Sequence, residues 1–382
     1  MIGRLIWVGF FFLGWIATPF CTIVMDLAGW PTVFELDCGE TISLQRNGKS
    51  WQIELVDVAH QFQPDYRSAN NADQKVFSQA QVVLRIDGEL RVLKFRPYQM
   101  PQEHDGLRLY VEMTKSWGEH GDLATMTDLQ KEVRLSAVCE GEPWGPEMVR
   151  FPIARYRWRS SLYANTWAAL VPTKDTIYYH KGEDYGVMPD RLDVLSFFDG
   201  TVFKTPLPKG DGESNGLCIR NENGLWIRYA HMNLETIRPH LLDSASVSSG
   251  DILGKTGCTW QGTKSQHSDP HLHFDLNYKE THLSPYPYLV EAYLRDYPDN
   301  ALPVAGGYIF GSPGELLELN ASRSIARPGR KIVSYQWVLH KGGVRKVQVL
   351  PQEYTKPGFY AEELQIRLDD GSEYRDIAQV RI

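Results

Sequence analysis

Seven of the chain's eleven histidines, His180, His231, His240, His267, His271, His273 and His282, fall within one stretch of 103 residues. Within it, Asp269-Pro270-His271-Leu272-His273-Phe274-Asp275-Leu276 alternates polar and apolar residues strictly after the proline. In a strand, a period of two sends Leu272, Phe274 and Leu276 into a core and His271, His273 and Asp275 to the opposite face, so two imidazoles project side by side. Keeping such a pair neutral without partners is costly, and a metal ion is the natural partner. His180-Lys181-Gly182-Glu183-Asp184 sets another histidine four residues from a carboxylate. Gly182, Gly186 and the preceding Thr176-Ile177-Tyr178-Tyr179 read as a strand end or turn rather than a helix, and Gly182 lets both side chains reach one point. Alone, His-x-x-x-Asp recurs often by chance and carries little weight. Leu225-Trp226-Ile227-Arg228-Tyr229-Ala230-His231 alternates as a third strand and ends on His231. A histidine at the rim of a sheet suits acid-base work.

Catalytic zinc sites use three protein ligands drawn from His, Asp and Glu and leave a fourth position for water. His180, Asp184 and one of the pair 271/273 make such a set, leaving His231 and the other member to handle protons. Zinc lowers the pKa of its water toward about 7 and polarises a carbonyl. The spare imidazoles would accept the water's proton and stabilise a tetrahedral oxyanion. Competing chemistries fit less well. Gly254-Lys255-Thr256 ends like a phosphate-binding loop, but Ser249 stands where its first glycine is required, and no His-Glu-x-x-His helix occurs. No pair of carboxylates can be singled out for glycoside hydrolysis.

Five motifs follow one another in order. They are His180-x-Gly182-x-Asp184, Asp199-Gly200-Thr201-Val202, Tyr229-Ala230-His231-Met232-Asn233, the run from Ser249 to Gly257, and Pro270-His271-Leu272-His273-Phe274-Asp275. Together, from about His180 to Leu294, they resemble the lysostaphin/LytM-type zinc metallopeptidases. The resemblance implies a mostly antiparallel β fold with an open groove and hydrolysis of peptide stems or cross-bridges of bacterial peptidoglycan. It also implies a Zn2+ cofactor held by His180, Asp184 and His273, with His231 and His271 as the catalytic histidines. The family's oxyanion-holding tyrosine has two counterparts here, Tyr178 and Tyr179, in a register the sequence leaves open. Extra polar residues from Thr259 to Asp269, His267 among them, set the chain apart, and His240 and His282 match no motif and are expected at the surface. A catalytically silent activator of wall hydrolases is a second reading, against which the presence of all five site residues counts. A peptidase of an extracellular protein is a third.

The elements that must position these residues come next. At 382 residues the chain holds two or three domains. With 42% hydrophobic and 23% charged residues it is neither disordered throughout nor a multi-span membrane protein. Forty basic against 47 acidic side chains give a net charge of −7, which disfavours nucleic acid as a partner. The expected fold class is mainly β: a central antiparallel β-sheet metallopeptidase domain with an open groove, flanked by two β-sandwich-like domains. Residues 1–29 read as a signal peptide or membrane anchor, because Arg4 precedes an uncharged run from Leu5 to Met25 whose length fits either. Export to the periplasm, cell surface or medium follows, with a membrane tether if the segment stays attached. Residues 30–145 read as a β-rich domain, marked by the hairpin Gln81 to Leu93 across Asp87-Gly88. Gly121 to Glu132 reads as a short helix, and the Pro-rich Glu142-Pro143-Trp144-Gly145-Pro146 as a linker into a peptidase domain at 146–298. Residues 303–382 alternate over 315–319, 331–337 and 364–368 and resemble PKD/immunoglobulin-like modules, without the acidic turn that would bring calcium. Export would permit disulfides, Cys38 with Cys139 and Cys218 with Cys258, with four free thiols as the equal alternative.

Overall fold

The protein's computed structural model describes residues 23–27, 30–64, 75–145, 149–158, 165–172, 176–205, 216–260, 263–266 and 270–382. The fold is mainly β, and the described residues contain two α-helices, Lys115–Gly118 and Tyr286–Asp296. Most of the expected signal or anchor lies outside the described residues. Of its described residues, Ile23–Asp26 forms an edge strand parallel to residues 42–45. Among the described residues no helix is long and apolar enough to cross a membrane.

Two sheets build the first body. Ile23–Asp26, Thr41–Arg46, Lys49–Pro64, Lys75–Ile86 and Glu89–Phe95 form a five-stranded sheet, and Thr32–Leu36, Val133–Cys139, Leu107–Thr114 and Gln102–His104 a four-stranded one. Leu44, Ile53, Leu84 and Leu93 from one and Leu109, Leu135 and Ala137 from the other meet in a single core, fully removed from water. The expected hairpin is present, with Ile86 opposite Glu89 and both Asp87 and Gly88 at positive φ, the two-residue turn that suits the twist of paired strands.

The expected helix over 121–132 is absent. Asp122 N–H donates to the Ile177 carbonyl, Ile177 N–H donates back to the Asp122 carboxylate, and Thr125 Oγ1 donates to the Tyr179 carbonyl. Partners from a distant strand thus hold this stretch in an irregular, non-helical course. Tyr179, Ile177, Leu170 and Trp167 all belong to the core of the first body.

The middle body is built on a seven-stranded antiparallel sheet. Its strands run Glu183–Gly186, His271–Tyr278, Leu225–Ala230, Leu217–Arg220, Gly200–Lys204 and Ser246–Val247, with Thr281–Leu283 pairing the far end of His271–Tyr278. Leu272, Phe274, Leu276, Ile227, Tyr229 and Ile219 share one buried face, as the alternation requires, and helix Tyr286–Asp296 adds Tyr288, Leu289 and Tyr293 to the same core. Tyr98, Tyr110, Val138 and Trp144 from the first body belong to that core too.

The Pro-rich stretch around Trp144 is therefore no free linker. The Trp144 ring lies 5.9 Å from Tyr110 and 6.2 Å from Tyr288, and its backbone N–H donates to Glu291. At the C-terminus, a five-stranded sheet and the pair Leu316–Asn320 with Val349–Glu353 enclose Trp337, Leu319, Leu350 and Ile366. The four described cysteines are free. Cys38 follows the strand end at Leu36, which faces Val133, whereas Cys139 lies beyond Ala137, which faces Thr32, so the two thiols sit at opposite ends of one strand pair.

Candidate active site

Three strand segments deliver the ligand set. His180 directly follows strand Ile177–Tyr179, and its backbone is fixed on both sides: His180 N–H donates to the Ala169 carbonyl, and Ala168 N–H to the His180 carbonyl. Asp184 lies in the edge strand directly opposite His273 of the central strand, so the two side chains emerge side by side. Gly182 joins His180 to that edge strand at φ 146°, where a Cβ would come 2.7 Å from the Phe274 carbonyl and 3.0 Å from the His273 ring. Only glycine allows so close an approach.

One ligand atom each from His180, Asp184 and His273 lie within 4.8 Å of one another. His273 Nδ1 is 2.7 Å from Asp184 Oδ1, and His180 Nε2 is 3.2 Å from both Asp184 Oδ2 and His273 Nδ1. His180 and Asp184 are buried and His273 nearly so. Burial by itself would raise the Asp184 carboxyl, but the charges of His180 and His271 and hydrogen bonds from His180 and His273 outweigh it and hold it well below the usual carboxylate range. Burial would likewise lower His273, yet Asp275 and Asp184 together raise it to about 9. At His273 the two carboxylates therefore favour positive charge. Asn165 donates from Nδ2 to Asp184 Oδ2 at 2.9 Å while its own buried Oδ1 has no hydrogen-bond partner. Two imidazole nitrogens and one carboxylate converging in a buried pocket are a ligand set that suits zinc.

Behind the ligands runs a supporting chain. His273 Nε2 is 2.7 Å from Asp275 Oδ1, and Arg228 Nε donates to Asp275 Oδ2 at 2.5 Å across a directly paired position of the neighbouring strand. Arg228, ahead of His273, holds the Asp275 carboxyl far below its ordinary value against the opposing effect of burial. An Asp275 that remains anionic accepts a hydrogen bond from His273 Nε2, which turns Nδ1 toward Asp184 and His180, where a bound metal would take its lone pair.

His271 and His231 lie on the other side of His273. Their ring centroids are 4.5 Å apart, both are buried, and His271 Nε2 is 3.7 Å from Asp184 Oδ1. Strict alternation would turn His231 into the core with Tyr229. Instead the strand stops at Ala230 and His231 adopts φ 63°, which re-aims its ring at the site. Its Nδ1 is 2.7 Å from the Thr259 carbonyl, so Nδ1 carries the proton and Nε2 the lone pair. Burial, then the neighbouring His271 and His273, push its pKa down to about 3. His231 is a neutral imidazole.

The open tyrosine register is also resolved. Tyr179 points into the first body, where its hydroxyl accepts the Phe77 N–H at 2.7 Å, so Tyr178, next in the alternation, faces the other way. Burial and the Asp184 charge raise the Tyr178 hydroxyl to about 12, keeping it a donor. All five sequence-derived site residues thus converge. His240 is exposed as expected, and His267 lies outside the described residues. His282 is not a free surface residue: its ring is 3.3 Å from Asp128, which also pairs with the buried Arg134. Sequence reasoning assigned no role to Asp275, although it shares the His-x-His face, nor to Arg228 opposite it. Asn165 carries no local signal at all.

Residues 178–285 match Peptidase family M23. No curated protein matches the chain.

Proposed function

We propose that this protein is an exported zinc metalloendopeptidase that hydrolyses a peptide bond in peptidoglycan stems or cross-bridges. The observation that carries the reading is the convergence of His180 Nε2, an Asp184 oxygen and His273 Nδ1, with two further imidazoles alongside. His180, Asp184 and His273 would hold the metal. Bound there, zinc supplies a Lewis acid for the scissile carbonyl and makes water acidic enough to attack near neutral pH.

The remaining work belongs to side chains of this chain. His231, neutral with its Nε2 lone pair available to the site, accepts the proton of the attacking water as general base and returns it to the leaving amine. His271, buried between His231 and Asp184, donates to the oxygen that gains charge as the carbonyl becomes tetrahedral. Tyr178 is the second donor on the Asp184 side. Asp275 and Arg228 hold the His273 ring in the orientation the ligand set needs, and Asn165 does the same for Asp184. Export rests on Arg4 followed by the uncharged run, and the C-terminal sandwich, PKD-like in its sequence pattern, is a spacer or wall-facing module.

The test combines metal content with digestion. The full chain should bind about one zinc, and mass spectrometry of muropeptides after digestion should show one defined peptide bond cut. His271→Ala should keep the metal and lose cleavage, whereas His273→Ala should lose both. Full zinc occupancy in the His273 variant would overturn the ligand assignment, and intact muropeptides from the zinc-loaded wild type would overturn the substrate.

A further inference from the structure

The first and C-terminal bodies meet around a second cavity, away from the histidines. It encloses about 350 Å³, within the range of small-ligand pockets, and its walls come from the first body's core and the C-terminal body. Arg96, just past strand Glu89–Phe95, lines it from the first body and Arg323 from the C-terminal one, while Ala168, Ala169 and Leu170 form the wall belonging to the segment paired with His180.

The two guanidiniums are the unusual feature. Arg323 Nη1 donates to the Pro97 carbonyl at 2.8 Å and the group stands 5.8 Å over the Tyr98 ring, but its Nε is buried without a partner. Arg96 donates from Nε to Gln99 Oε1 at a long 3.3 Å. Among the described residues neither forms an ion pair. Of the two carboxylates on the cavity wall, Glu315 accepts from Ser312 N–H, and Glu318 accepts from Asn320 Nδ2 while its charge acts on both guanidiniums without an ion-pair contact to either. Burial pushes both arginines below their ordinary value, Arg323 to about 10 with the Arg96 charge adding to the effect, and the charge of Glu318 offsets only part of this for each. Two partly desolvated guanidiniums set against one carboxylate leave an uncompensated positive charge that a further anion would offset.

We propose that this junction cavity is a binding site for a small anion carrying a carboxylate or a phosphate, held by Arg96 and Arg323. A guanidinium presents paired donors that match the two oxygens of either group. Gln61, Gln63 and Asn320 line the same cavity and offer amides to any hydroxyls the ligand carries. The site is separate from the metal-ligand cluster and does not depend on the peptidase reading.

Isothermal titration of the full chain with inorganic phosphate and with succinate, at ionic strength held constant with potassium chloride, tests it. At least one probe should bind saturably, and Arg96→Gln and Arg323→Met should each weaken that binding roughly tenfold or more, as expected for loss of a charged hydrogen bond. Tighter phosphate binding identifies a phosphate-bearing ligand, and tighter succinate binding a carboxylate. Because Arg323 also ties the C-terminal body to Pro97, Arg96→Gln alone decides the matter if the Arg323 variant unfolds. No saturable binding of either probe, or binding that Arg96→Gln leaves unchanged, would overturn the proposal.

Discussion

Glu112 offers a quantitative test of how the first and middle bodies are joined. It lies in strand Leu107–Thr114 with no exposure to solvent. Ser136 Oγ donates to its Oε1 at 2.6 Å, and the backbone N–H of Ser284, from the middle body, donates to Oε2 at 2.7 Å. Burial raises its pKa from 4.5 to about 7, against the lowering effects of those two hydrogen bonds and of Arg134. The folded protein therefore keeps a proton that the unfolded chain releases from pH 4.5 upward. Where the native state binds more protons than the unfolded state, stability falls as pH rises.

The shift, 7 − 4.5 = 2.5 pKa units, corresponds to about 3 kcal/mol at 1.36 kcal/mol per unit, lost progressively across that window and complete above pH 7. Glu112→Gln keeps the shape, accepts from Ser284 through its amide oxygen and donates to Ser136 through its nitrogen, but cannot ionise. Urea unfolding of both chains at pH 5 and pH 8, followed by tryptophan fluorescence, should show the variant gaining roughly 2 to 3 kcal/mol on the wild type over that interval. Titrations elsewhere cancel in the comparison. A wild-type to variant difference that is the same at both pH values, or that is larger at pH 5, would refute the burial argument.

Further outcomes concern the site and its supports. Asp275→Asn should weaken zinc binding about 10- to 100-fold in competition with a chromogenic chelator, because His273 loses the anion that orients it; unchanged affinity would remove Asp275 from the supporting chain. Gly182→Ala forces a Cβ to within 2.7 Å of the Phe274 carbonyl, and equilibrium dialysis should show impaired zinc binding together with about 1–3 kcal/mol lost in stability. Tyr179→Phe leaves the buried Phe77 N–H without its acceptor and should cost about 1–3 kcal/mol in thermal or urea unfolding; no loss would mean that this contact does not fasten the His180 strand.

Where the sequence was legible, the information was local. The period of two in residues 271–276 places His271, His273 and Asp275 on one face whatever surrounds the strand, and Asp87-Gly88 specifies its own turn. What could not be read was decided by partners far along the chain. Residues 121–132 are irregular rather than helical because Ile177 and Tyr179 bond them, and Trp144 sits in a core because Tyr110 and Tyr288 flank it, although its neighbours are proline and glycine. His231 is the instructive intermediate case. Its presence at a strand end is visible, but one left-handed backbone position decides whether the ring enters the core or the site, and period-two reasoning gives the wrong side.

The first body is more than a neighbour of the peptidase sheet. His180 follows a strand whose Tyr179 is embedded in that body's core, whereas Asp184 and His273 belong to paired strands of the middle sheet. The separation between the first ligand and the other two is therefore set by how the two bodies pack. That packing is fixed from both directions, by Tyr179 and Trp167 entering one core and by Tyr110 and Trp144 entering the other. Between them lies the ionic seam of Arg134, Asp128 and His282, with Glu112 bonded to Ser284. A fragment beginning at the glycine-proline step after Trp144 would strip Tyr179 of its surroundings and expose Ile177 and Leu170, since the surfaces that cover them are no part of it. The metal-ligand geometry is thus a property of two cores built together, and residues 30–145 act on the site through Tyr179 before any role they have toward a substrate.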